Sequence, residues 1–405
     1  MITKAIDWSR ADLKVDSQIE SKVQAILTSI RNEGDSAIEG FSLEFDQQPV
    51  KVIDLKPFED YQLKDDLANS IQLAANRIEK FALFQKQGIR SESFSDEFGC
   101  YGQVVSPIER VGAYIPGGRY PLISTALMTL IPAKVAGSPV RIACSPSSHP
   151  AILAAASLAG ATQFIQLGGV QAIGALAYGY QDNLPVDVVV GPGNAWVNEA
   201  KKQLQSQVKI DGLAGPSELL ALCDGEQPIE WLAFDVLAQA EHDPLACSLI
   251  VSDDSNWLVS MLSFLEKNSE TNKLLQQKQI ELIYAESVEE LVQFSNQYAP
   301  EHLMHCHPQV DQKRLINYGS LFIGANSAVA LGDYITGPNH TLPTLAYARQ
   351  NGGLNVNVFL RVLTTQTVND LGRMKLSKLA MPIAKAEGLN YHFKSLQLRS
   401  NPNQP

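Results

Sequence analysis

Gln239-Ala240-Glu241-His242 carries an amide and an imidazole three residues apart at the predicted end of a helix, a spacing that puts Gln239 and His242 on one face. Two kinds of metal ligand therefore point together. Of seven histidines, His242, His302, His340 and His392 sit beside acid, amide or turn residues, the setting that metal and acid/base sites require. Taken singly, each reads better as a capping or core imidazole, and agreement among several shifts the balance. Pro300-Glu301-His302-Leu303 sets a carboxylate next to an imidazole just after a helix, so that one group can activate water while the other takes a proton. The alternative there is a strand entrance with an exposed Glu301. His305-Cys306-His307 looks like a metal box, but alternation along a strand turns Cys306 away from both histidines, and it is read as a decoy.

Gly332-Asp333-Tyr334 and Gly337-Pro338-Asn339-His340 follow a predicted strand ending near Ile323, which puts Asp333 and His340 in a loop at a sheet's carboxyl edge. Open α/β folds bind ligands at that edge, although an ordinary turn is the alternative. Pro116-Gly117-Gly118 and Gly191-Pro192-Gly193-Asn194 each join a predicted strand to a helix, so their backbone N–H groups can face a phosphate. Neither is the dinucleotide fingerprint Gly-x-Gly-x-x-Gly, and on glycines alone a plain tight turn is the simpler reading.

The elements that must hold these residues follow a rhythm that begins near Ile108: a short apolar run, a turn, then an Ala-rich helix. Val111 to Ile115, Val140 to Cys144, Gln163 to Leu167 and Val186 to Val190 are strands, each followed by a helix, in a parallel sheet covered on both faces. A second run has strands at Glu218 to Cys223, Ser248 to Val251, Glu281 to Ala285 and Ser320 to Ile323. Two Rossmann-like domains are expected, the second inserted into the first, because the helical stretch Val15 to Gly88 has no sheet of its own. Residues after Gly353 are read as helical again, ending in a polar tail, Ser400 to Pro405, that cannot pack.

A chain of 405 residues, 45% hydrophobic and 19% charged, suits an α/β protein of two or three domains rather than a fibrous or disordered one. With 43 acidic against 32 basic residues and no basic run, it offers nothing to neutralise a phosphate backbone, which excludes nucleic acid. No signal-like N-terminus and no apolar stretch of about 18 residues is seen, so a cytoplasmic location away from membranes is expected. Five scattered cysteines, never spaced Cys-x-x-Cys, are read as buried thiols.

From about Val111 to Arg399 these motifs stand in the order, and with nearly the spacing, of the histidinol dehydrogenase family, which the chain resembles. The matching stretches are Tyr114-Ile115-Pro116-Gly117-Gly118, Gly168-Gly169-Val170-Gln171-Ala172, Gly191 to Ala195, and Ile210-Asp211 through Ala214-Gly215-Pro216-Ser217-Glu218. They continue through Gln239 to His242, Glu301-His302, Gly332-Asp333-Tyr334, Asn339 to Thr344, and Glu387-Gly388-Leu389 with His392. The first hundred or so residues match loosely, and Leu245 and Cys247 stand where polar residues are commoner.

The resemblance implies an NAD-dependent zinc enzyme of histidine biosynthesis that oxidises L-histidinol through L-histidinal to L-histidine. It makes Gln239, His242, Asp333 and His392 the ligands of one Zn2+ per subunit. Ser217, Glu301, His302, His340 and Glu387 contact substrate together with those ligands, Glu301 and His302 being the catalytic acid/base residues. Tyr114, Gln171 and Asn194 line the NAD site. It implies two Rossmann-like, doubly wound domains in an aldehyde-dehydrogenase-like arrangement, with small helical N- and C-terminal segments. The expected division is an arm over 1–15, a discontinuous domain over 16–110 and 217–351 that carries the metal helix, an NAD-binding insertion over 111–216, and a C-terminal segment over 352–405. That last segment crosses to the partner of a homodimer, so that His392 and Glu387 complete the other subunit's site. A relative oxidising another polar alcohol, such as a sulfonated diol, is the near alternative, against which the carboxylate of Glu387 suits an ammonium-bearing substrate. A catalytically silent metal-binding dimer is the distant one.

Overall fold

The computed structural model describes residues 2–10, 17–117, 121–213 and 215–401. Gly118, Ala214, positions 11–15 of the arm and 402–405 of the tail lie outside the described residues. The chain opens with β1 (Ile2–Lys4), α1 (Ser17–Glu33), α2 (Asp35–Phe41), β2 (Lys51–Ile53) and α3 (Asp65–Gln87), followed by the hairpin β3 (Glu92–Asp96) and β4 (Gly99–Pro107). Strand–helix units come next: β5 (Arg110–Tyr114) and α4 (Ile123–Ala136), β6 (Val140–Ser145) and α5 (Pro150–Leu158), β7 (Gln163–Gln166) and α6 (Gly169–Tyr178), β8 (Val188–Val190) and α7 (Ala195–Leu204), then β9 (Lys209–Ile210). The second series is β10 (Glu218–Cys223), α8 (Ile229–Ala240), β11 (Cys247–Ser252), α9 (Ser255–Glu266), α10 (Ser269–Gln276), β12 (Ile280–Tyr284), α11 (Val288–Tyr298), β13 (His302–Cys306), β14 (Ser320–Ile323) and α12 (Val329–Tyr334). It ends with β15 (Leu360–Val368), α13 (Asp370–Ala386) and α14 (Asn390–Arg399).

Residues 1–84 and 108–359 make one compact unit; 85–107 and 360–405 make a second. The first unit holds two six-stranded sheets, ordered β2-β7-β6-β5-β8-β9 and β1-β12-β11-β10-β13-β14. Apart from β2, which runs antiparallel to β7, all their strands are parallel. Setting aside the edge strands β2 and β1, both sheets have the doubly wound order 3-2-1-4-5 in chain sequence, so the winding reverses between β5 and β8 and between β10 and β13. All six residues of β10 are buried, as a central strand covered by helices on both faces requires.

The N-terminal helices belong to the first of these sheets. Val23, Leu27 and Ile30 of α1, at i, i+4 and i+7, share one core with Ile173 and Leu176 of α6 and Val197 of α7. Of the stretch expected to accompany 217–351, α1, α2 and β2 therefore pack with 111–216, while β1 from the expected arm extends the other sheet. The second unit also differs from the expected helical segment: β15 pairs antiparallel with β4 over nine residues, and β3 completes a three-stranded sheet. A Thr- and Val-rich run fits an extended backbone better than a helix.

Candidate active site

Strand pairing brings the acid and imidazole of Glu301-His302 to one spot. Leu219 of β10 faces His302 of β13, so Glu218 lies against Glu301 at the amino end of both strands. The Glu218 N–H donates to Glu301 Oε2 at 2.8 Å, and His302 Nδ1 lies 3.2 Å from the Glu218 carbonyl, which can only accept. That carbonyl keeps the proton on Nδ1 and turns the buried Nε2 toward Asp333, where it has no hydrogen-bond partner and stands 3.7 Å from Asp333 Oδ1. Burial works against protonation of His302, but the Glu301 carboxylate, with Asp333 and the Glu218 carbonyl, outweighs it and pushes the imidazole up to about 9. Glu301 is buried, not the exposed residue of the alternative strand entrance.

Asp333 lies in the last turn of α12, and His340 follows on a loop, its Nδ1 donating to the Asp333 carbonyl at 2.9 Å. His340 Nε2 is 3.4 Å from Thr125 Oγ1. Burial, stronger here than the nearby Asp333, holds His340 below its ordinary value and so neutral. Both residues were expected at the sheet's carboxyl edge. They lie instead at the amino edge, because α12 runs back from the end of β14 and delivers Asp333 to His302. His302, Asp333 and His340 line a cavity of about 350 Å³ with Phe322, Asn326 and Thr336.

The four residues expected to ligate the metal are placed differently. Gln239, in the last turn of α8, is 1% exposed, and its Oε1 has no partner. Helix α8 packs on α12, whose Tyr334 hydroxyl is raised mainly by burial and further by the charges of Asp333 and Glu241. His242 is exposed just past the helix end. His392 on α14 and Glu387, capping α13 before the left-handed Gly388, are exposed in the second unit. Among the described residues no three His, Cys, Asp or Glu side chains converge as a cation cage. A buried amide oxygen without a donor costs about 1–3 kcal/mol unless a ligand takes it, so the Gln239 carbonyl suits a cation-bound state. Ser217 is half-buried next to Glu218. His305 and His307 do not converge: the first bonds the Val310 carbonyl at 2.8 Å and the second Asp253 at 3.2 Å, while Cys306 packs in the core.

The residues expected to line the cofactor site stand at the carboxyl edge of the other sheet. Tyr114 ends β5 and its hydroxyl accepts the Gly169 N–H at 3.3 Å. Gln171 is buried in the first turn of α6 and donates to Asp46 Oδ2 at 3.0 Å, which also takes the Gly168 N–H at 3.0 Å. Asn194 caps α7, accepting from Trp196 and Val197 at 3.1 Å each. Gly191 sits at φ 112°, and a Cβ there would meet the Tyr114 carbonyl oxygen at 2.1 Å, so only glycine lets β8 turn this close to β5. The buried Lys201–Asp211 pair, 2.5 Å apart, locks this turn: Lys201 donates to the Gly191 carbonyl and Asp211 accepts the Gly191 N–H. Asp46, Thr125, Lys201 and Asp211 escaped the sequence reading as site residues, since their roles come from long-range contacts with no local pattern.

The two edges meet. Asn339 Nδ2 donates to the Met128 carbonyl of α4 at 2.6 Å, and Thr344 Oγ1 accepts the Gly215 N–H, which fastens the His340 loop across the first unit. The family model described as histidinol dehydrogenase matches residues 9–400. The chain belongs to the histidinol dehydrogenase family. It is 40% identical to the histidinol dehydrogenase of Thermus thermophilus, covering 97% of each chain, and 36% identical to that of Methanocaldococcus jannaschii, covering 98% of this chain and 95% of the other. The crystal structure of histidinol dehydrogenase from Elizabethkingia anophelis superposes with a TM-score of 0.86 at 33% identity, covering 98% of this chain and 94% of that one. Membership of the histidinol dehydrogenase family makes the protein an NAD-dependent oxidoreductase.

Proposed function

We propose that the protein oxidises L-histidinol to L-histidinal and then to L-histidine, with one NAD reduced at each step. The observation that carries this is the buried, unpartnered Nε2 of His302 beside Asp333, with Glu301 at its Nδ1, on an edge that meets the one holding Tyr114, Gln171 and Asn194. His302 Nε2 takes the hydroxyl proton as hydride leaves the carbinol carbon for NAD; Glu301 then removes a proton from the water that adds to the aldehyde, and a second NAD accepts the second hydride. Neutral His340, with its proton committed to Asp333, offers Nε2 to the substrate. Residues 111–216 would hold NAD, where the turn at Gly191 and the α6 and α7 N-termini offer N–H groups suited to a phosphate.

Gln239, His242 and Asp333, with His392 of the partner subunit, would hold one Zn2+. Bound there, the ion would supply Lewis-acid chemistry for orienting the substrate. A Gln ligand suits this role because its neutral carbonyl leaves the cation's charge less compensated. Ser217 and Glu387 of the partner subunit contact the substrate, Glu387 through its ammonium group. The homodimer is supported by large apolar side chains left exposed on the helices nearest the donors, Trp231 and Phe234 on α8 and Leu331 and Tyr334 on α12. Tyr391, beside His392, is 92% exposed. A cytoplasmic location accompanies this reading, and no helix among the described residues is long and apolar enough to cross a membrane. Mixing inactive His302→Asn and His392→Asn subunits tests the shared site: random exchange gives heterodimers with one intact site each and about a quarter of the normal rate. No recovery after verified subunit exchange would refute it.

A further inference from the structure

The acid/base pair rests on a strand whose own first side chain is an acid with no part in the proposed chemistry. Glu218 presents its N–H to Glu301 and its carbonyl to His302, yet its carboxylate is buried beside that of Glu301, and two like charges there oppose one another. Burial first, and then the Glu301 charge, push Glu218 up to about 7; Arg10 pulls it down. Arg10 donates to Glu218 Oε1 and, at 2.5 Å, to the Tyr298 carbonyl, while its guanidinium lies 3.9 Å over the Tyr298 ring. Among the described residues it is the one cation bonded to Glu218.

The arm that carries Arg10 is itself built into the sheet. β1 pairs with β12, Trp8 Nε1 donates to Glu281 at 3.1 Å, and the indole meets the rings of Phe294 and Tyr298 edge-on at 5.2 and 5.5 Å. A guanidinium stacked, hydrogen-bonded to a carbonyl and paired with a carboxylate is fixed on three sides, and its planar fork serves that geometry as a lysine cannot.

We propose that Arg10 is a positioning residue for both oxidations: by compensating the buried Glu218 carboxylate against that of Glu301 it keeps the start of β10 where its N–H meets Glu301 and its carbonyl meets His302. This rests on the assignment of Glu301 and His302 as the acid/base pair. Without Arg10, the buried Glu218 carboxylate is left uncompensated against Glu301, and the strand end must shift or take up a proton.

The test uses the full-length enzyme, assayed at a temperature where each variant is folded by circular dichroism. Arg10→Met should lower kcat with L-histidinol by about tenfold or more while leaving the KM for NAD unchanged, since small misplacements of reacting groups cost this much. Arg10→Lys, which keeps the charge but loses the fork, should fall between Arg10→Met and the unaltered enzyme. Adding Glu218→Gln to Arg10→Met removes the uncompensated charge and should restore most of kcat. A folded Arg10→Met enzyme with unchanged kcat, or a folded double variant no better than Arg10→Met, would overturn the proposal. If Arg10→Met does not fold, the double variant decides by the same criterion: a folded double variant without activity overturns it. Undiminished kcat in His302→Asn would instead overturn the assignment on which it rests.

Discussion

The two six-stranded sheets of the first unit share a strand order and use opposite edges. The sheet around β5 and β8 offers its carboxyl edge, where the winding reverses and helix N-termini face outward, as doubly wound sheets commonly do. The sheet around β10 and β13 offers its amino edge, where Glu218 and His302 start their strands, Glu301 precedes β13, and α8 and α12 end. Each edge provides a different resource. Helix N-termini supply N–H groups for a cofactor phosphate, whereas strand entrances and helix C-termini supply carbonyls and side chains that orient an imidazole and a carboxylate. Equal topology therefore says little about which edge reacts; the residues placed there decide it.

Changes on the amino edge should act on chemistry and changes on the carboxyl edge on cofactor affinity. The largest effect is expected for His302→Asn, which removes the proton acceptor and should lower kcat for L-histidinol by about 10²–10⁴-fold with the KM for NAD unaltered. Glu301→Gln should slow oxidation of added L-histidinal by about a hundredfold and the alcohol step much less. Equal loss in both steps would contradict the division of labour. On the other edge, Asp46→Ala leaves the Gly168 N–H and the Gln171 amide without their acceptor; the affinity for NAD should fall about tenfold, close to 1.4 kcal/mol, with the KM for L-histidinol unchanged. A change in L-histidinol kinetics alone would blur the distinction between the edges.

The smallest effect is a titration. In metal-free protein His302 should titrate by NMR near 9, and Glu301→Gln, by removing the strongest of the contributions that raise it, should move it downward. As a proton acceptor His302 works only when neutral, so the first oxidation should speed up as pH rises through its pKa. If Asp333 ligates a cation as proposed, the added positive charge should bring that limb to lower pH. A His302 resonance titrating near 6.5 in the metal-free protein would remove the electrostatic basis of this prediction.

The alternation of apolar runs and helices announced both parallel sheets, because strands buried on two faces must be continuous in Val, Ile, Leu and Ala. Glu301, His302, Asp333 and His340 were visible as types, since few residues do acid/base work, but their edge was not. That depended on α12 doubling back, and a six-residue helix leaves too short a pattern to fix its direction. The short β2 at a sheet edge lacked an apolar run, and β15, with eight of nine residues exposed, carried no core-facing signal. Arg10 and Asp46 were illegible for another reason: each meets its partner more than a hundred residues away, at 208 positions for Glu218 and 125 for Gln171, where spacing carries no information.

The most direct measurement counts NADH formed per L-histidinol consumed, in the presence of an aldehyde trap. If the amino edge carries both oxidations on a retained substrate, the ratio is two, L-histidine is the product and no aldehyde is captured. A ratio of one with trapped L-histidinal, or no NADH at all from folded protein supplied with Zn2+, would contradict the account.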